Sequence, residues 1–82
     1  MHYEEPARSL SDLTPRHREV LALIAQGKAN RDIADTLHVT ESTIKNHITA
    51  IYHALRLPTK SGVGGGARVL AALWYTKQKE NK

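Results

Sequence analysis

Apolar and polar positions alternate with a helical period over most of the chain. The clearest stretch is Ile44, Ile48, Ile51, Tyr52 and Leu55, at i, i+4, i+7, i+8 and i+11, which fall on one arc of a helix and predict a buried face. The opposite arc carries Ser42, Lys45, Asn46, Thr49 and His53, a stripe with one cation, an amide and hydroxyls but no carboxylate. A merely solvated helix face usually mixes signs and pairs Glu with Lys at i, i+4, so this stripe is suited to meeting hydrogen-bond acceptors.

Three further helices are predicted around it. Thr14-Pro15 is a helix start, a hydroxyl cap followed by a ring of fixed φ. Val20, Leu21 and Ile24 then form an inward face, and Gly27 supplies a left-handed stop, placing a first helix at about 15–26. Asn30 is expected to cap a second, two-turn helix with Asp32 in its first turn and Ile33, Ala34 and Leu37 inward. After three residues, Thr40 caps the third helix. A short helix, a tight turn and a longer helix form the helix-turn-helix pattern. Leu57-Pro58 is expected to end the third helix. A loop rich in glycine runs from Thr59 to Gly66, and Ala67 to about Gln78 predicts a fourth helix with Val69, Leu70, Leu73 and Trp74 inward. Ala71, Ala72 and Tyr75 widen its apolar surface, which suggests a helix–helix interface. Residues 1–12 have no period and are expected to form a flexible arm, leaving 13–82 as the domain.

Composition narrows the function classes. Eighty-two residues hold one small domain, and 40% apolar residues with only three Pro and five Gly indicate a folded chain. There is no Cys, so no disulfide, thiolate metal site or redox centre is possible, and a reducing cytoplasm suits the chain. The longest apolar run, Val69 to Tyr75, is far short of the roughly 18 residues of a membrane span. Net charge is +4, distributed as −2 over residues 1–15, +1 over 16–40, +2 over 41–60 and +3 over 61–82. A polyanionic partner fits the basic part.

Three patterns that mimic catalytic or cofactor motifs carry nothing. Gly62-Val63-Gly64-Gly65-Gly66-Ala67 satisfies G-x-G-x-x-A, but no strand precedes it and too few residues follow to build a βαβ unit. Ser42-Thr43-Ile44-Lys45 has the S-x-x-K form without its companion motifs. The five His lack metal-ligand spacing, so neither metal nor cofactor is expected, and no enzymatic activity.

The chain resembles the DNA-binding domain of the LuxR/FixJ/NarL (GerE-like) bacterial regulators over residues 13–57. The residues that carry the likeness are Leu13-Thr14-Pro15-Arg16, Glu19-Val20-Leu21, Ile24-Ala25-Gln26-Gly27, Asn30-Arg31-Asp32-Ile33-Ala34 and Leu37. They continue through Val39-Thr40-Glu41-Ser42-Thr43-Ile44-Lys45-Asn46-His47-Ile48 to Ile51 and Leu55. The resemblance implies an all-α, four-helix domain whose third helix enters the major groove of double-stranded DNA and whose fourth forms a homodimer. It further implies base contacts from Lys45, Asn46 and Thr49, and phosphate contacts from Arg31, Thr40, Ser42, Thr43 and His47. Such a protein is expected in the bacterial cytoplasm at the nucleoid, with RNA polymerase as a further partner.

The chain departs from the family pattern in three places. His17 replaces the usual Glu, which removes a capping box. About five extra residues, Gly62 to Gly66, precede the last helix. No receiver or ligand-sensing segment is expected in a chain of this length, so the regulator is read as stand-alone. An alternative from another class is an interaction module that pairs with a full-length regulator or with polymerase and titrates it.

Overall fold

The computed structural model describes residues 7–57 and 66–80. A 3-10 turn, Leu10–Asp12, leads into α1 (Pro15–Ala25), α2 (Asn30–Leu37), α3 (Glu41–Ala54) and α4 (Gly66–Glu80), with no strand among the described residues. The predicted all-α, four-helix architecture is what forms.

Each predicted cap that forms does so for the expected reason. Thr14 Oγ1 accepts from the His17 N–H at 3.1 Å, and Pro15 occupies the first helical position. Thr40 Oγ1 accepts from the Thr43 N–H at 3.1 Å at the start of α3. These bonds satisfy backbone donors that a helix start leaves unpaired. Asn30 is a correction: the residue that caps α2 is Ala29, with no side-chain cap bond, and Asn30 lies inside the helix. Its Oδ1 instead accepts from Arg68 of α4.

α1, α2 and α3 end in the same way. Gly27 (φ 85), His38 (φ 60) and Arg56 (φ 57) stand in the left-handed region. Each donates its N–H three residues back, to Ile24, Asp35 and His53. The residue after each, Lys28, Val39 and Leu57, donates five residues back to Leu23, Ala34 and Tyr52. This is the Schellman arrangement, which satisfies the last carbonyls. The glycine was legible. The other two are not signalled by residue type, so α3 ends at Ala54, earlier than the Leu57-Pro58 expectation, with Pro58 outside the described residues.

The core joins the first three helices. Val20, Leu21, Ile33, Ile44 and Ile51 have no exposed surface, and Leu13, Ile24, Ala34, Ile48 and Leu55 are buried around them. Leu37 and Tyr52 pack at its margin, half-buried. α2 and α1 both lie against α3, while α4 lies mainly along α1. No buried side-chain polar atom among the described residues lacks a hydrogen-bond partner, as a well-formed small core requires.

Two expectations need correcting. Order begins before Leu13: the Ala7 N–H donates to the Ala54 carbonyl at 2.8 Å, and the Asp12 carboxylate accepts from Arg8 and Ser9 N–H. Arg18 Nη1 then donates to the Leu10 and Leu13 carbonyls at 3.1 and 3.0 Å, so residues 7–12 are fastened to α1 and α3; residues 1–6 lie outside the described residues.

The larger correction concerns α4. Val69, Leu70 and Leu73 were expected inward, yet they are 59%, 43% and 55% exposed. The buried residue is Ala71, with Tyr75, Trp74 and Ala72 half-buried. The run Val69–Tyr75 is apolar on every side, so its period does not choose a face. With Ala71 at the contact and Trp74 and Tyr75 half-buried beside it, Val69, Leu70 and Leu73 are turned outward. Gly66 is the first residue of α4, and the rest of the glycine-rich segment lies outside the described residues.

Candidate nucleic-acid interface

α3 sorts its side chains by chemistry. Ile44, Ile48 and Ile51 are buried, while Ser42, Lys45, Asn46, Thr49 and His53 are all exposed on the other side. The three residues between α2 and α3 hold the longer helix across the shorter, in the helix-turn-helix arrangement.

The hydroxyls on this face have defined directions. Thr49 Oγ1 donates to the Lys45 carbonyl at 3.0 Å, which leaves its methyl as the group not tied to the backbone. Thr40 Oγ1 donates to Thr43 Oγ1 at 3.0 Å while accepting the Thr43 N–H. The Thr40 proton is therefore committed internally. Of this pair, Thr43 has the hydroxyl proton that can be donated outward, although its side chain is half-buried. Glu41 is the only carboxylate of α3 and stands in the first turn, outside the stripe, where the helix dipole favours an anion.

Lys45, Asn46 and Thr49 thus share one exposed face, and Thr40, Ser42 and Thr43 cluster at the start of the same helix. Arg31 is exposed on α2. His47 lies at the margin, half-buried, with its ring edge-to-face against His17 of α1 at a centroid separation of 5.3 Å and an interplanar angle of 71°. Burial, and next the neighbouring His47, hold His17 below the ordinary imidazole pKa. His17, at the position where a capping carboxylate was looked for, thus places a ring against α3.

Arg68 has no counterpart among the sequence-derived candidates. Its Nη1 donates to Asn30 Oδ1 at 2.8 Å and its Nη2 to the Lys28 carbonyl at 2.7 Å. It also lies in hydrogen-bonding reach of Tyr52, whose phenol is pushed up by burial and pulled back by this guanidinium. No local signal marks an arginine whose partners stand 38 and 40 residues away. Among the described residues no group of three or more His, Asp or Glu side chains could hold a metal ion. Nor is any helix there long and apolar enough to cross a membrane.

This arrangement of helices and exposed donors coincides with a family match over residues 11–63 to GerE, the bacterial regulatory proteins of the luxR family. The chain belongs to that family. It is 39% identical over 72 residues to the nitrate/nitrite response regulator protein NarL of Escherichia coli K12, covering 88% of this chain and 30% of NarL. Two Bacillus subtilis relatives are the transcriptional regulatory proteins LiaR and LnrK. LiaR is 44% identical over 54 residues, 66% of this chain and 26% of LiaR. LnrK is 45% identical over 51 residues, 62% of this chain and 23% of LnrK. The chain thus spans less than a third of the length of these luxR-family relatives.

Proposed function

We propose that this chain binds double-stranded DNA sequence-specifically and regulates transcription in the bacterial cytoplasm, at the nucleoid. The observation that carries the proposal is the exposed face of α3: a cation, an amide and hydroxyls, free of carboxylates, on a helix held rigid by three buried isoleucines. Lys45 can donate to guanine O6 and N7, Asn46 can pair bidentately with adenine, and the Thr49 methyl can meet a thymine methyl. Ser42, Thr43 and the N–H groups at the start of α3 would hold one phosphate strand, with His47 and Arg31 at the flanking backbone. Because Thr40 gives its proton to Thr43, its part is to support Thr43 and the helix start.

The protein acts as a homodimer on paired half-sites, and the exposed Val69, Leu70 and Leu73 supply the apolar surface of the contact. Selection of bound sequences from a random duplex pool tests binding and half-site spacing together. On the selected site, Lys45→Ala is expected to weaken binding by about 1–3 kcal/mol, measured by mobility shift or anisotropy. Equal affinity of variant and parent would remove Lys45 from base reading.

The exposed α4 face also motivates a second reading, in which the chain pairs with a full-length regulator or with RNA polymerase and titrates it. Titration against random duplex at two salt concentrations separates the two. DNA binding predicts micromolar-range nonspecific affinity that falls steeply with salt, whereas absence of any shift at high protein concentration favours titration.

A further inference from the structure

α4 is held along α1 by apolar contact and at its amino end by polar contact. Its fully buried residue is Ala71, and the half-buried Ala72, Trp74 and Tyr75 follow it toward the carboxyl end. At the amino end of the helix, where Val69 and Leu70 are exposed, Arg68 supplies the contact. Its planar guanidinium donates from two nitrogens to two acceptors, Asn30 Oδ1 at 2.8 Å and the Lys28 carbonyl at 2.7 Å. A bidentate fork of this kind fixes orientation as well as distance. One acceptor is the first residue of α2, the helix that braces α3, the other lies in the turn just before it, and Tyr52 on α3 stands beside the same guanidinium. The next residue along α4 is Val69, the most exposed of the outward apolar side chains. Arg68 therefore lies between the helix-turn-helix on one side and the outward face of α4 on the other.

We propose that Arg68 is a positioning residue that sets the angle between the α4 dimer face and the reading face of α3, and so sets which half-site spacing the dimer accepts. The inference rests on the dimeric DNA-binding reading above and adds a residue that determines its geometry. Two recognition helices reach two half-sites together only when their separation and rotation match the duplex, about 10 base pairs per turn. With Arg68 in place that geometry is single-valued. Without it the amino end of α4 can shift while Ala71, Trp74 and Tyr75 keep the helix on the domain, the dimer face is retained, and several spacings become comparable.

The test uses the full chain and the duplex selected from the random pool, with its spacing then lengthened by about 5 base pairs, half a turn. The parent protein is expected to lose on the order of a hundredfold in affinity, the gain that two linked binding events give over one. Arg68→Gln is expected to cut that discrimination to below about tenfold while keeping its affinity for a single half-site. Sedimentation is expected to show the variant still dimeric, a combination that a general loss of folding would not produce. Asn30→Ala removes one acceptor without touching α4 and is expected to lower discrimination severalfold; it decides the matter should Arg68→Gln fail to fold. Spacing discrimination equal to the parent's in the variants that fold would overturn the proposal. A parent that binds no duplex would overturn the DNA-binding reading beneath it, a distinct outcome.

Discussion

α3 and α4 have similar length and opposite construction. α3 buries three isoleucines and presents polar groups outward, whereas α4 buries one alanine and presents Val69, Leu70 and Leu73 outward. Burial of a large aliphatic side chain stabilises by about 1.5–3 kcal/mol, so α3 is bound to the domain by its own chain. α4 leaves a comparable quantity of apolar surface unburied. The lesson is that α3 finds its apolar partners inside the molecule, while the exposed face of α4 is left for the contact that the dimeric proposal assigns to it.

The contrast is broken most sharply by truncating each helix in turn. Ile51→Ala is expected to cost about 2–5 kcal/mol, enough to unfold much of a domain this small. Leu73→Ala at low protein concentration is expected to cost less than about 0.5 kcal/mol, as a surface change does. Urea unfolding of both checks this, and equal costs would mean that α4 is packed as α3 is. The alanine contact is sharpened by Ala71→Leu, expected to destabilise by about 1–3 kcal/mol because the added carbons enter a fully buried position. A neutral result would show that α4 stands away from α1.

A smaller effect tests the half-buried site of His17, whose ring meets His47 at the margin of α1 and α3. His17 has its folded pKa below the unfolded value, so the unfolded chain binds more protons as the pH drops. Its contribution to stability is fully present above about pH 6.5 and is lost as pH falls through the folded value. His17→Gln is expected to flatten that part of the pH profile, read as the urea midpoint between pH 8 and pH 5. A difference between variant and parent that does not vary with pH would remove the titration of the half-buried His17 as its cause. A stabilising change is expected at the turn before α3. His38→Gly relieves a left-handed backbone and is expected to raise stability by up to about 1 kcal/mol in thermal unfolding.

The legibility of the two helices differed for the same physical reason. In α3 the apolar residues recur on one arc and the polar ones on the other, so period alone gave both the core and the candidate interface. In α4 the apolar residues run through seven consecutive positions, and the face was decided by fit against α1, where the smallest side chain prevails. Gly27 announced a helix end because glycine favours the left-handed region, but His38 and Arg56 reach the same conformation through backbone hydrogen bonding that their residue types do not reveal. The Arg68 fork is a pairing across 38 residues and leaves no trace in local pattern. The end of the arm was hidden likewise, since Ala7 is fastened by a backbone bond to Ala54 that any residue could make.

The hydroxyl bonds on α3 bear on the entropy of recognition. Thr40, Thr43 and Thr49 are already held in fixed orientations by bonds within the helix. A duplex arriving at this face would meet three side chains whose rotamers are settled beforehand. Among the proposed base-reading residues the ordering cost then falls on Lys45 and Asn46, at about 0.5–1.5 kcal/mol for each side chain immobilised. Of the three proposed base-reading residues, Lys45 and Asn46 would then be the mobile pair beside a Thr49 set in advance. Changes at those two positions would alter which sequence is preferred without rebuilding the helix that presents them.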